Sequence, residues 1–253
     1  MTTRLIHVSD VHFGVEDRAA LAAVARAVEQ ERPDALVCTG DLTQRAKHAQ
    51  YEQAREWFAQ FDVPVWLDVG NHDLPYYNLW ERFSDPYRRF RALQKAVAVA
   101  QFATDDVVLV PLKTTVRAQG RWPWSDGVVT PDALRATSAA LAPLRDDPRT
   151  VIVTAHHPLH GPRPDEPSGT IGGYEALEEL AELGANAVLS GHIHTPFNHD
   201  PYHPGGKIQA IGAGTLSTRL RFGAPPSYNV LHCERGKPIQ VEARTLSDEA
   251  NAL

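Results

Sequence analysis

Short apolar runs recur along the first two thirds of the chain, each parted from the next by a stretch with helical spacing. That alternation restricts the fold more than any other feature of the sequence. Residues 4 to 9 read as a first strand. Leu21, Val24, Ala25 and Val28 then recur at helical spacing up to the break at Arg32-Pro33, before an apolar run at 35 to 39. A second helix, with Tyr51, Ala54, Phe58 and Phe61 on one face, leads through Pro64 into the run Val65 to Val69. The order is that of two βαβ units and predicts an α/β fold with a largely parallel central sheet. A helical segment around Tyr87, Phe90, Leu93 and Val97 precedes a buried strand at 107 to 110. Thr130-Pro131-Asp132 starts a helix whose apolar face is Leu134, Leu141 and Leu144. Thr150 to Ala155 and Ala187 to Ser190 are two further strands, and the helix between them, with Leu177, Leu180 and Leu183, stops at Gly184.

The tail has another character. From Lys207 onward, apolar stretches around 208 to 211, 228 to 232 and 238 to 243 are separated by Gly and Pro signals with no helix between them. They predict antiparallel strands completing a second sheet. A chain of 253 residues, 43% of them hydrophobic, can bury one large core, so one domain spanning 1–253 is expected. Residues 160 to 173, rich in Pro and Gly, read as a surface loop that would shape access to a nearby site.

Charge and cysteine content exclude several functions. Lys and Arg number 25 against 31 Asp and Glu, a formal charge of -6, so no general basic field draws in nucleic acid or anionic lipid, and neither is an expected partner. Cys38 and Cys233 stand far apart, which indicates neither a disulfide framework nor a thiolate zinc site. No leader-like segment or membrane-spanning run is evident, and a soluble cytoplasmic protein is expected.

The chemistry is written at the ends of the strands, where open α/β sheets present ligands. Asp10-Val11-His12, Gly40-Asp41, Gly70-Asn71-His72-Asp73, His156-His157-Pro158 and Gly191-His192-Ile193-His194 each follow a predicted strand. In extended backbone, residues two apart point the same way, so Asp10 with His12, and His192 with His194, can send paired ligands toward one site. Carboxylate and imidazole without thiolate suit Mn, Fe, Co or Zn. So many ligands exceed the needs of one such ion and fit two ions sharing a carboxylate, the arrangement used for in-line displacement at phosphorus. Turn formation accounts for an isolated Asp or Asn in such a place, but not for paired histidines in this order.

In their order D-x-H, G-D, G-N-H-D, H and G-H-x-H, these blocks resemble the calcineurin-like metallophosphoesterase superfamily over residues 5 to 195. The resemblance implies a four-layer αββα sandwich of two mixed sheets flanked by helices, and a cofactor of two divalent or trivalent metal ions. It implies that Asp10, His12 and His194 hold one metal, that Asn71, His156 and His192 hold the other, and that Asp41 bridges them. It further implies attack by a metal-bound hydroxide, with His72 protonating the leaving oxygen or stabilising its charge and Asp73 orienting His72. His156 rather than His157 is taken as the ligand, because in the family the ligand commonly stands two residues before this proline. His157 is left as a supporting or substrate-facing residue. Within the superfamily the chain looks most like bacterial cyclic-nucleotide and glycerophosphodiester phosphodiesterases. A small phosphodiester is the expected substrate; a phosphomonoesterase, a pyrophosphatase and a non-catalytic metal-stabilised module are the alternatives.

Other residues carry weaker signals. Arg45, four residues after Asp41, either grips substrate phosphate or begins a solvated helix face with Lys47. Arg121-Trp122-Pro123-Trp124 reads as a set of core anchors holding a loop, with stacking on a flat substrate group as the other reading. His160 and Arg163 are expected at the surface, with reach to the substrate as the other reading. His7, His48, His199, His203 and His232 fit no block and read as surface or satisfied core histidines.

Overall fold

The structure is a computed structural model that describes residues 2–120, 122–201 and 207–246. Among these described residues, ten strands form two five-stranded sheets. The first has the order β10-β9-β1-β2-β3 and is built from β1 (Thr3–Val8), β2 (Ala35–Cys38), β3 (Val65–Leu67), β9 (Ser227–Cys233) and β10 (Gln240–Thr245). The second, β4-β5-β6-β8-β7, comprises β4 (Val107–Pro111), β5 (Thr150–Thr154), β6 (Ala187–Ser190), β7 (Phe197–His199) and β8 (Gln209–Gly212). Strands β1, β2 and β3 run parallel, as do β4, β5, β6 and β8.

The expected helices form, and a further short one at Leu79–Ser84 is added. In α1 (Arg18–Glu31), Asp17 caps the first turn by accepting from the N–H groups of Ala19 and Ala20, and Arg32 ends the helix in left-handed backbone. Leu21, Val24, Ala27 and Val28 face inward. Helices α2 (His48–Ala59), α3 (Leu79–Ser84) and α4 (Arg88–Val97) follow, and the first-sheet helices share a buried cluster that includes Ile6, Val8, Leu36, Phe58 and Phe90. Thr130 caps α5 (Pro131–Leu141). With α6 (Gly173–Glu182) it covers the second sheet through Leu141, Val151, Val153, Leu177 and Leu180.

A third cluster lies between the sheets, where Leu5, Val37 and Trp66 of one meet Leu109, Ile152, Leu189 and Ile211 of the other. The alternation of strand side chains explains the layers: Leu5 faces the opposing sheet while Ile6 faces the helices. The result is the four-layer αββα sandwich of two mixed sheets.

Several expectations need correcting. The three tail stretches do not assemble as antiparallel strands of one sheet: β8 runs parallel to β6 in the second sheet, while β9 and β10 pair antiparallel in the first, beside β1. The run at 65 to 69 is strand only to Leu67. Trp122 and Trp124 are not core anchors, being 78% and 67% exposed and in edge contact with one another. His160 is buried, whereas Arg163 is exposed and faces Glu166. His7, read as a surface or satisfied core histidine, is the latter, fully buried between Thr39 and Asn229. Arg121 and His203 lie outside the described residues. Among the described residues, no helix is long and apolar enough to cross a membrane.

Candidate metal centre

All five blocks meet at one edge of the sandwich, because the parallel strands of both sheets deliver their C-terminal ends there. The loops after β1 and β2 stay paired beyond the strands, with Asp10 N–H donating to Gly40 O at 3.0 Å and His12 N–H to Asp41 O at 2.9 Å. The second sheet is tied to the first through His156, whose Nδ1 donates to Thr39 O at 2.7 Å.

The backbone of the candidate ligands is not extended. Asp10, His12, Asp41, His192 and His194 have φ of 53°, 50°, 54°, 69° and 61°, in the left-handed region that costs a residue bearing Cβ about 1 kcal/mol or more. The pairs two residues apart converge by this tight winding, not by strand alternation. Glycines make the close approaches possible: a Cβ on Gly70 would stand 2.1 Å from Asp41 Oδ1, and one on Gly191 would stand 2.6 Å from Asp10 Oδ2.

Two groups of donors result. In one, His194 Nε2 lies 3.1 Å from Asp10 Oδ1 and 3.2 Å from His12 Nε2. In the other, His156 Nε2 lies 3.2 Å from Asn71 Oδ1, and the His192 ring centroid is 5.3 Å from that of His156. Asp41 Oδ2 stands between them, 3.6 Å from His12 Nε2 and 3.4 Å from His156 Nε2. The other carboxylate oxygens are already committed, since Asp41 Oδ1 accepts from His72 N–H and Asp10 Oδ2 from His192 N–H.

This donor set fits a pair of metal ions. Asp10 Oδ1 is buried without a hydrogen-bond partner, which is costly unless a cation answers it. His194 donates through Nδ1 to Arg219 O at 2.6 Å, which turns Nε2 toward the centre. Burial alone would raise the carboxyls of Asp10 and Asp41, but the imidazoles around them, His194 and His156 foremost, hold both well below the usual range. Burial opposes charge on His156, yet Asp41 overrides it and lifts the imidazole to about 9. A proton there occupies the electrostatic place of a cation and would leave as metal enters. Burial and the neighbouring His156 push His192 down to about 3.

His157 lies close enough to His156 and His192 to share a metal with them, but its ring is otherwise engaged. Its ring faces Thr114 Oγ1 at 2.8 Å through Nδ1 and Ser125 O at 2.9 Å through Nε2, so both nitrogens are engaged and neither reaches outward to substrate. Asp73 does not touch the His72 ring. It accepts from the N–H groups of Leu42, Thr43 and Gly70, which fastens the second and third blocks together. Burial and the adjacent Asp41 nonetheless push its carboxyl up to about 7. What orients His72 is Gln44 O, which accepts from Nδ1 at 2.8 Å and turns Nε2 toward the centre. Burial lowers the pKa of His72. Arg45 lies ahead of α2 rather than on its face, with its guanidinium 4.5 Å above the Tyr76 ring.

One residue escaped the sequence reading. Arg219, in the loop after β8, places Nη1 3.1 Å from His72 Nε2, 3.3 Å from His12 Nε2 and 3.3 Å from Gln44 Oε1. The available signal was its place after the strand at 208 to 211, the same position that marks the other blocks.

Comparison with known proteins follows this geometry. The family model described as calcineurin-like phosphoesterase matches residues 3–196. A protein of Synechococcus sp., described as a probable cyclic nucleotide phosphodiesterase, is 28% identical over 242 residues, covering 89% of this chain and 84% of its own. The purple acid phosphatase of yellow lupin (Lupinus luteus) seeds superposes with a TM-score of 0.68 at 12% identity over 98% of this chain, which spans 52% of that enzyme. A dimetal phosphatase of Danio rerio superposes with a TM-score of 0.64 at 13% identity, covering 94% of this chain and 98% of its own. At such identities the two structures share the fold.

Proposed function

The chain belongs to the calcineurin-like phosphoesterase family and is a metal-dependent phosphoric ester hydrolase, and on that premise we propose that it hydrolyses a small phosphodiester, a cyclic nucleotide or a glycerophosphodiester. The observation that carries the reading is the convergence of Asp10, His12 and His194 on one side of Asp41, and of Asn71, His156 and His192 on the other. The preference for a diester rests on the Synechococcus relative, whose similarity runs along most of the chain.

Asp10, His12, Asp41 and His194 would hold one ion, and Asp41, Asn71, His156 and His192 the second. Mn, Fe, Co or Zn bound there would supply Lewis acidity and water activated near neutral pH. The protein side chains do the rest. Arg219 donates through Nη1 to the phosphoryl oxygens and holds the ester against the centre. His72, with its Nδ1 proton kept on Gln44 O, takes up a proton from solvent through Nε2 and gives it to the departing alkoxide. Asp73 is a positioning residue that keeps Asp41 and Asn71 in register.

The test is side-by-side hydrolysis of bis(p-nitrophenyl) phosphate and p-nitrophenyl phosphate by chelator-treated protein reloaded with Mn, Fe, Co or Zn. Metal-dependent turnover favouring the diester is expected. His72→Ala should keep its metals and lose about 100-fold or more in kcat. Preference for the monoester would overturn the diester reading, and unchanged turnover in His72→Ala would overturn the role of His72.

A further inference from the structure

A cavity of about 250 Å³ is lined by Arg45, Lys47, His48, Tyr76, Tyr77 and Arg89, among others. No Asp or Glu lines it, although the chain carries a net charge of -6. Its basic side chains are not equivalent. Arg89 is neutralised by the buried Glu81, which also holds Arg88, and it is braced on Ala46 O at 2.6 Å. Arg45 and Lys47 have no ion-pair or hydrogen-bond partner for their charged groups among the described residues. Arg45 is instead stacked on Tyr76, which fixes the plane of the guanidinium and leaves its N–H edges free to donate. Helix α2 begins at His48 with no acidic residue in its first turn, so its free N–H groups add positive potential beside the cavity.

Unneutralised cations, a preset guanidinium and a concave wall together make a receptor for an anion. Its position relates it to the centre, since Gln44 O holds His72 and Gln44 Oε1 accepts from Arg219, with Arg45 the next residue in the chain. The charge of Arg45 is felt at Arg219. Arg219 addresses the reacting group and Arg45 a second one. We propose that this cavity binds a terminal phosphate of the substrate, so that the preferred diester carries, on one of its two alcohols, a second phosphate that is not hydrolysed. The proposal deepens the diester reading above and rests on it.

The probes are the dinucleotides pApA and ApA, which differ only in the terminal phosphate. Metal-loaded wild type should show kcat/KM about tenfold or more higher for pApA, the size expected of charge-assisted hydrogen bonds. In Arg45→Gln/Lys47→Gln that ratio should collapse toward one. Calorimetric titration of metal-loaded His72→Ala protein with both dinucleotides reads the subsite without appreciable turnover, and the same tenfold preference is expected in Kd. Should the double variant misfold, Lys47→Gln alone, at an exposed position, should still lower the preference severalfold. Equal affinities for pApA and ApA, or a preference that survives both sets of substitutions, would overturn the proposal. Failure of the diester reading is distinct, because it appears as absent bis(p-nitrophenyl) phosphate hydrolysis whatever the titrations give.

Discussion

Nη1 of Arg219 stands 3.1 Å from Nε2 of His72, the side chain of the Gly70-Asn71-His72-Asp73 block proposed to move a proton. A guanidinium directed at the face of a metal centre repels cations unless an anion lies between them, which is the geometry of a phosphoryl group held from both sides. Arg219→Gln should lower kcat/KM for the preferred ester about 10- to 100-fold without changing metal content, because His194 is held by the backbone carbonyl of Arg219 and not by its side chain. Arg219→Lys should recover only part of the loss, since an ammonium lacks the planar fork. Steady-state kinetics with metal analysis of each variant decides this.

Removing the metals should destabilise the fold. The centre gathers two buried carboxylates and leaves Asp10 Oδ1 without a partner, so ions that bind only the native state contribute about 2.7 kcal/mol each when present at 100 times their Kd. Thermal denaturation should show a lower Tm after chelator treatment and recovery on reloading. A Tm indifferent to chelator would contradict the assignment of these side chains as ligands.

Gly70→Ala should damage the centre through packing alone. The new methyl would stand 2.1 Å from Asp41 Oδ1 and 2.2 Å from Asp41 N, and neither atom can retreat, because the oxygen accepts from His72 N–H and the nitrogen is backbone. A stability loss of about 3 kcal/mol and a drop in bound metal are expected. Gly120→Ala, which meets nothing within 4 Å, is the control and should be neutral in both respects. Denaturant melts and metal analysis of the two proteins make the comparison.

His7 should give the fold a pH dependence of its own. Burial lowers its imidazole from 6.5 to about 3, so the unfolded chain binds a proton there that the folded chain refuses. Stability therefore rises with pH from about 3 to 6.5 and is lost as pH falls through that window, by about 2 kcal/mol at pH 5 relative to neutral pH. His7→Gln, which can still reach Thr39 and Asn229, should show a shallower decline between pH 7 and 5 in the same metal state. Parallel declines in the two proteins would contradict the burial argument.

The alternation of runs made β1 through β6 readable, because parallel strands buried on both faces are continuous apolar segments. The tail misled because Gly and Pro between short strands signify antiparallel hairpins only when the strands are neighbours. Here the chain leaves β8 in one sheet and enters β9 in the other. That same error concealed Arg219, since the rule that functional groups follow parallel strands was not applied to a stretch read as antiparallel. The residues of the candidate centre were legible because few other demands place paired imidazoles at strand ends. The partners of His72, His157 and Asp73 were not, because each depends on loops brought together from separate strands. The outward Trp122 and Trp124 show the same limit: bulk indicates burial on average, and only tertiary context assigns a given ring.

The five residues wound into left-handed backbone at the centre bear on how such a chain drifts over generations. Glycine would relieve the local strain at every one of those positions, and asparagine would tolerate it. A lineage retaining only the shape of the protein, as an adaptor or a platform, would be under steady conformational pressure to replace imidazole and carboxylate there. Asp10, His12, Asp41, His192 and His194 carry that local cost together, and foldedness alone does not explain it.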